Sequence, residues 1–215
     1  MNITKYEHSC IDVRVGASRL IIDPGSFAIS LIDLDSIDIL VITHIHPDHL
    51  DEQKVRDIVT NNPDVRIFST DEVSKKIKDL SVIVPKLGKN YEIKDIMLEF
   101  FGNLHATILP AIPKVQNFGV LVNNELYYTG DSFTPCSKPH NLLAITAYAP
   151  WMKISDSADF IHSDSARFVF PSHDGFLNDS GRNLVNGLLK KATELSNKTY
   201  LSLSPKDSFE SENLN

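Results

Sequence analysis

The chain has 215 residues, 42% hydrophobic and 23% charged, the balance of an ordinary globular protein with room for one domain. Twenty-eight acidic residues outweigh 21 basic ones for a net charge of -7, and no dense Lys/Arg block occurs, which argues against nucleic-acid binding through phosphate contacts. No apolar run of about 18 residues and no basic start with an apolar core occurs, so neither a membrane span nor a secretory signal is expected. Cys10 and Cys136, too few for a disulfide framework and outside C-x-x-C spacing, suit a reducing cytoplasm.

In chain order, antiparallel strands are predicted over residues 3–8, 10–15 and 19–23, with a turn at Gly16 and a stop at Pro24-Gly25. Residues 38–43, D-I-L-V-I-T, form a nearly continuous apolar run, the mark of a strand buried on both faces, and they lead directly into His44. A helix over 51–60 follows from the spacing of Val55, Ile58 and Val59, with Asp51 as N-cap, and an S-x-x-E capping box at Ser69–Glu72 opens a second. Residues 91–101 read as a strand, and 117–122 with 126–129 as a hairpin closed through Asn123-Asn124. A strand over 142–147, a helix over 155–162 and a strand over 167–170 come next, then a helix over 184–195 with Leu184, Val185, Leu188 and Leu189 on one face. Residues 1–205 form the expected single domain, a mixed α/β architecture, and the polar, acidic residues 206–215 are expected to trail flexibly in solvent.

The chemistry concentrates in His44-Ile45-His46-Pro47-Asp48-His49. Where a chain leaves a strand still extended, residues i and i+2 point to the same side, so His44 and His46 can present two imidazoles to one metal. Asp48 and His49 are adjacent and must diverge, which suits a second ion beside the first. A catalytic zinc needs three protein ligands with an open position, so further donors are required. His105, Asp131 and His173 each follow a predicted strand end, where ligands collect in α/β sheets, and could converge on the hexamer.

Taken together, H-x-H-x-D-H, then a lone His, an Asp in T-G-D-S and a final His in P-S-H-D-G resemble the metallo-β-lactamase-fold hydrolase superfamily. The opening H-S-C-I-D-V and L-I-I-D-P-G extend the resemblance over nearly the whole chain, closest in flavour to the small stand-alone branch of ascorbate-6-phosphate lactonase-like and uncharacterised bacterial hydrolases. The resemblance implies an α+β (αββα) fold: two packed mixed β-sheets with helices on the outer faces. It implies that His44, His46 and His105 bind one divalent metal, that Asp48, His49 and His173 bind a second, and that Asp131 bridges both. Zinc is the first choice of ion; manganese and iron suit the same donors.

The implied activity is that of a cytoplasmic binuclear metal-dependent hydrolase, in which a metal-bridging hydroxide attacks an ester-like bond, be it phosphodiester, lactone, thioester or amide, of a small-molecule substrate. Asp48 is the expected catalytic residue, orienting that hydroxide. His8, Trp151 and Lys153 are candidate substrate-binding residues: His8 as a proton donor, against an ordinary hydrogen-bonded strand residue, Trp151 by stacking, against core packing, and Lys153 by pairing with an anion. Asp23 is read first as a turn residue and second as an acceptor for a ligand histidine. Two alternatives stand beside the hydrolase: a non-catalytic metal-binding or ligand-sensing module, whose sign would be a lost ligand, and a nuclease, whose basic surface the composition does not supply. Homo-oligomerisation is left open.

Overall fold

The computed structural model describes residues 1–214 as two seven-stranded sheets and four α-helices. The first sheet is built from β1 (Asn2–Lys5), β2 (Ile11–Val15), β3 (Ser18–Ile22), β4 (Ile39–Ile42), β5 (Arg66–Ser69), β6 (Val82–Ile83) and β14 (Ser208–Glu210), in the order β14-β1-β2-β3-β4-β5-β6. The second contains β7 (Tyr91–Ile93), β8 (Ile96–Phe101), β9 (Gly119–Val122), β10 (Leu126–Tyr128), β11 (Leu142–Thr146), β12 (Phe168–Ser172) and β13 (Thr199–Tyr200), running from β13 to β7 in reverse chain order. The helices are α1 (Glu52–Asn61), α2 (Asp71–Lys76), α3 (Ile154–Ser163) and α4 (Asp179–Leu195). This is the αββα sandwich the motifs imply.

Strand alternation explains why the central strands are apolar throughout. In β4, Ile39 and Val41 join the core between the sheets while Leu40 and Ile42 face Val55 and Ile58 of α1 and Val73 of α2. In the second sheet, Leu142 and Ala144 of β11 and Phe168 and Phe170 of β12 point inward, whereas Leu143, Ile145 and Val169 pack beneath α3 and α4 against Phe160, Ile161 and Leu189. A strand with a helix layer on one side and a sheet on the other has no face to give to polar residues.

Several expectations change in the structure. The first three strands are antiparallel as expected, and β3 then pairs parallel with β4. The second helix is capped by Thr70, whose hydroxyl accepts from Val73 N–H, and not by Ser69, whose hydroxyl instead donates to Ile42 O. The single strand over 91–101 is a hairpin turned at Lys94, which takes a left-handed φ of 52°. Asn123 and Asn124, both at φ 52°, close the β9–β10 hairpin as expected. In α4 the buried line runs through Leu189 and Thr193, leaving Leu184 and Leu188 exposed; the face of three leucines and one valine is wider than the surface available to bury it. Residues 206–214 do not trail in solvent: β14 pairs antiparallel with β1, and Phe209 packs on the inter-sheet core. The short strands β5, β6 and β13, the last two at sheet edges, carry too few residues for a periodicity signal. Among the described residues, no helix is long and apolar enough to cross a membrane.

Candidate metal centre

The site lies where strands of both sheets end. The end of β3 supplies Asp23, β4 delivers Thr43 and His44, and the loop before α1 carries His46, Asp48 and His49. From the second sheet come His105 after β8, Asp131 after β10 and His173 after β12. His44, His49, His105, Asp131 and His173 are buried, and His46 and Asp48 are partly exposed. The loop is shaped by close approach: a Cβ on Gly25 would sit 2.0 Å from the Asp48 carbonyl oxygen, so the Pro24-Gly25 turn lies flush against the ligand loop only with glycine there.

Donor atoms face one another at distances suited to sharing a cation. His44 Nε2 lies 3.0 Å from His46 Nδ1, and His105 Nε2 lies 3.3 Å from Asp131 Oδ2. Asp131 Oδ1 is 3.2 Å from both His49 Nε2 and His173 Nε2, while Asp48 Oδ2 is 3.5 Å from His173 Nε2 and 3.9 Å from His49 Nε2. Asp131 therefore faces two groups of imidazoles, one with each carboxylate oxygen.

The far side of each ring decides what the near side can do. His49 Nδ1 lies 2.7 Å from Asp23 Oδ2, His105 Nδ1 donates to Ala106 O and His173 Nδ1 donates to Tyr148 O, the last two at 2.6 Å. With the proton held at Nδ1, each Nε2 presents its lone pair to the cluster. His49 Nε2, His105 Nε2, His173 Nε2 and Asp131 Oδ1 are buried without a hydrogen-bond partner. Four orphaned buried acceptors gathered around the Asp131 carboxylate are costly unless cations satisfy them, so the donor set fits one or more divalent metals.

Electrostatics agree. Burial pulls His44 well below its ordinary pKa. Burial also opposes charge on His49 and His173, but the Asp131 carboxylate, joined at His49 by Asp23, outweighs it and raises His49 well above the ordinary value and His173 to about 9. Burial likewise works against ionisation of Asp131 and Asp48, yet the facing imidazoles hold both carboxyls well below the usual range. The pocket demands positive charge.

His8 lies in the turn between β1 and β2 with a left-handed φ of 60°, and its ring joins Asp48, His49 and His173. Its ring lies 3.8 Å from that of His173, centroid to centroid, and stacks on Phe27 at 4.7 Å. Gly175 N–H donates to His8 Nδ1 at 2.9 Å, which leaves the ring proton on Nε2, 3.0 Å from Asp48 Oδ2. Burial lowers this imidazole to about 4, against the pull of Asp48, so it stays neutral. Trp151 also reaches the site, its indole N–H donating to Asp131 Oδ2 at 3.0 Å. Lys153 is not brought in: it occupies the N-cap position of α3 with an exposed side chain.

Further buried residues support the candidate ligands. Asp23 is fully buried and accepts from Thr43 N–H and Thr43 Oγ at 2.7 Å each besides approaching His49, so its role as an acceptor for a ligand histidine outweighs the turn role. Asn117 receives Asp131 N–H on Oδ1 at 2.9 Å and donates to Thr129 O, setting the Gly130-Asp131 turn. Ser9 Oγ donates to Asp48 O at 2.7 Å. Asp174, beside His173, forms a buried ion pair with Lys5 at 3.0 Å. Asn117 and Ser9 sit in no local motif; the T-H step at the end of an apolar strand was the one available signal, for Thr43.

The model of the beta-lactamase superfamily domain matches residues 2–173, and so contains every candidate ligand. Protein Rv0786c of Mycobacterium tuberculosis is 27% identical over 198 residues, covering 90% of this chain and 93% of its own. Igni18, a metallo hydrolase from the archaeon Ignicoccus hospitalis, superposes with a TM-score of 0.73 at 18% identity over 97% of this chain and 98% of its own. An isothiocyanate hydrolase from Delia radicum gut bacteria gives 0.70 at 16% identity over 98% and 99%. At these identities the two solved structures speak to the fold.

Proposed function

The chain belongs to the beta-lactamase superfamily, and from that premise we propose that it is a binuclear metal-dependent hydrolase acting on an ester-like bond of a small molecule in the cytoplasm. The supporting observation is that seven donor residues from both sheets come together in adjoining groups, with orphaned buried acceptors gathered around Asp131. Two divalent ions bound there, zinc first and manganese or iron with the same donors, supply polarisation of the scissile bond and a hydroxide at neutral pH.

The residues divide by geometry. His44, His46 and His105 form one compact donor group, and Asp48, His49 and His173 belong to another. Asp131 serves both, Oδ2 toward His105 and Oδ1 toward His49 and His173. Asp48, the more exposed carboxylate, is the group in position to orient the attacking water. His8 shares this neighbourhood without being a donor to metal, because Gly175 occupies its Nδ1 and its Nε2 carries a proton; it is a positioning residue that holds Asp48 Oδ2. Trp151 restrains Asp131 in the same way. The archaeal relative is described as a metallo hydrolase and the gut-bacterial one as an isothiocyanate hydrolase; a shared fold does not specify a bond, so an assay identifies the one cut here.

Metal analysis of protein purified without added ions should find close to two equivalents, and the loaded protein should turn over at least one member of a panel of phosphodiesters, lactones, thioesters and amides. His46→Ala and Asp48→Ala should each lower that rate by at least a hundredfold with the circular dichroism unchanged. Fewer than one equivalent with no activity on adding zinc, manganese or iron, or variants as active as the parent, would overturn the reading.

A further inference from the structure

The segment between β8 and β9 is unlike an ordinary loop. It leaves the sheet as Leu104-His105-Ala106-Thr107-Ile108-Leu109 and returns as Pro110-Ala111-Ile112-Pro113-Lys114-Val115, with two prolines and one charged residue apart from His105. Its base is fixed: His105 N–H donates to Val115 O at 3.0 Å, Ala106 N–H to Asp131 O at 2.8 Å and Asn117 N–H to Asn103 O at 3.3 Å. A tighter turn at its tip is closed by Ile112 N–H to Leu109 O at 3.0 Å. Leu104, Leu109 and Ile112 are nevertheless 48%, 56% and 48% exposed. Surface loops normally present polar residues, and apolar side chains that a stiff loop holds in water form a surface that gains free energy when covered.

The position of this surface says what would cover it. A cleft runs between the loop and the metal-ligand histidines, lined by His46, His105, Ile108, Ile112, Pro113 and Val115, with Lys114 the only fixed charge among the described lining residues. Across the centre, beside His173, Tyr148 and Phe176 are also 41% and 51% exposed, so apolar side chains stand on both sides of the donor cluster. A polyanionic substrate needs several guanidinium or ammonium groups at the mouth, and one lysine does not make such a clamp.

We propose that the 104–116 loop is the wall of an acyl- or aryl-binding subsite, and that the substrate carries a hydrocarbon group of several carbons next to the bond that is cut. This inference rests on the hydrolase reading for the identity of the bond, and on the loop alone for the apolar group. The cleft at His46 and His105 has a volume of about 40 Å³, room for the first carbon or two beside the reacting centre, and a longer chain continues over the exposed side chains of Ile112 and Leu109. Transfer of each methylene from water into such a cleft favours binding about fourfold, equivalent to about 0.8 kcal/mol.

Two measurements on the metal-loaded full chain test it. With p-nitrophenyl esters from acetate to hexanoate, kcat/KM should rise about fourfold per methylene over the first two or three carbons, and Ile112→Asp should reduce the hexanoate-to-acetate ratio at least tenfold. Ile112 is half exposed, so the substitution leaves the core intact. Independently of turnover, n-alkylphosphonates from methyl to hexyl should quench the fluorescence of Trp151, the sole tryptophan, whose ring centroid is 6.0 Å from that of His105, with Kd falling by a similar factor per methylene. A flat phosphonate series, or an ester ratio unmoved by Ile112→Asp, overturns the subsite. Chain-length-dependent phosphonate binding without hydrolysis of any ester or other model substrate upholds the subsite and overturns the hydrolase reading.

Discussion

At the scale of single residues, the site depends on atoms that never touch a ligand. Asp23 is the hub: its two carboxylate oxygens take Thr43 N–H and Oγ and stand against His49 Nδ1, all at 2.7 Å, which fixes both the strand end that presents His44 and the ring of His49. Removing such an outer partner typically lowers metal affinity 10- to 100-fold, so Asp23→Ala should release metal to a competing chelator at a correspondingly lower chelator concentration. Unchanged retention would show that Thr43 alone orients the pair. The same competition assay separates the roles open to His8: as a hydrogen-bond donor to Asp48, His8→Gln should retain more of the parental affinity than His8→Ala. The candidate ligands themselves were legible in the sequence because imidazoles and carboxylates at i, i+2, i+4 and i+5 have few other uses. Asn117 and Ser9 were not, since an amide or hydroxyl that hydrogen-bonds to a backbone distant in sequence leaves no local pattern. His8 fell between these cases: its presence near the site was expected, but its tautomer is set by Gly175, 167 positions away.

At the scale of elements, long buried strands and amphipathic helices were readable from periodicity, and marginal elements were not. α1 and its Asp51 cap matched because a 10-residue helix over a sheet needs a complete apolar stripe. β5, β6 and β13 are two to four residues long and owe their conformation to the neighbouring strand. Side-chain pairing between elements was also invisible. His140 precedes β11, and its Nε2 meets Asp164, at the end of α3, at 2.9 Å. Burial opposes the imidazolium, but the Asp164 carboxylate overcomes it and raises His140 to about 10. A folded pKa above the ordinary value of about 6.5 means that this stabilisation is complete below pH 6.5 and disappears as pH rises through 10. Asp164→Asn should therefore cost about 1.5–3 kcal/mol in urea unfolding at pH 6, and its difference from the parent should shrink above pH 10. A pH-independent difference would mean that the pair acts as a neutral hydrogen bond.

At the scale of the whole molecule, the candidate metal centre lies where strands of the two sheets end. Bound ions add to folding stability by mass action, about 2.7 kcal/mol when the free ion is at a hundredfold excess over its Kd. For a chain of this length that corresponds to roughly 5–10 °C in Tm, so removal of metal with a chelator should lower Tm by that amount and re-addition should restore it. A Tm indifferent to chelator would place the donor set outside the folding equilibrium. The sheets also divide the chain almost in two. Apart from β14, the first sheet is finished by Ile83 and the second begins at Tyr91, across an exposed link containing Gly88. His44, His46, Asp48 and His49 lie before that link, and His105, Asp131 and His173 lie after it. If the chain were cut there, neither piece would hold a full donor set, and the ion would act as a clasp between two separately made fragments, turning their reassembly into a reading of metal availability.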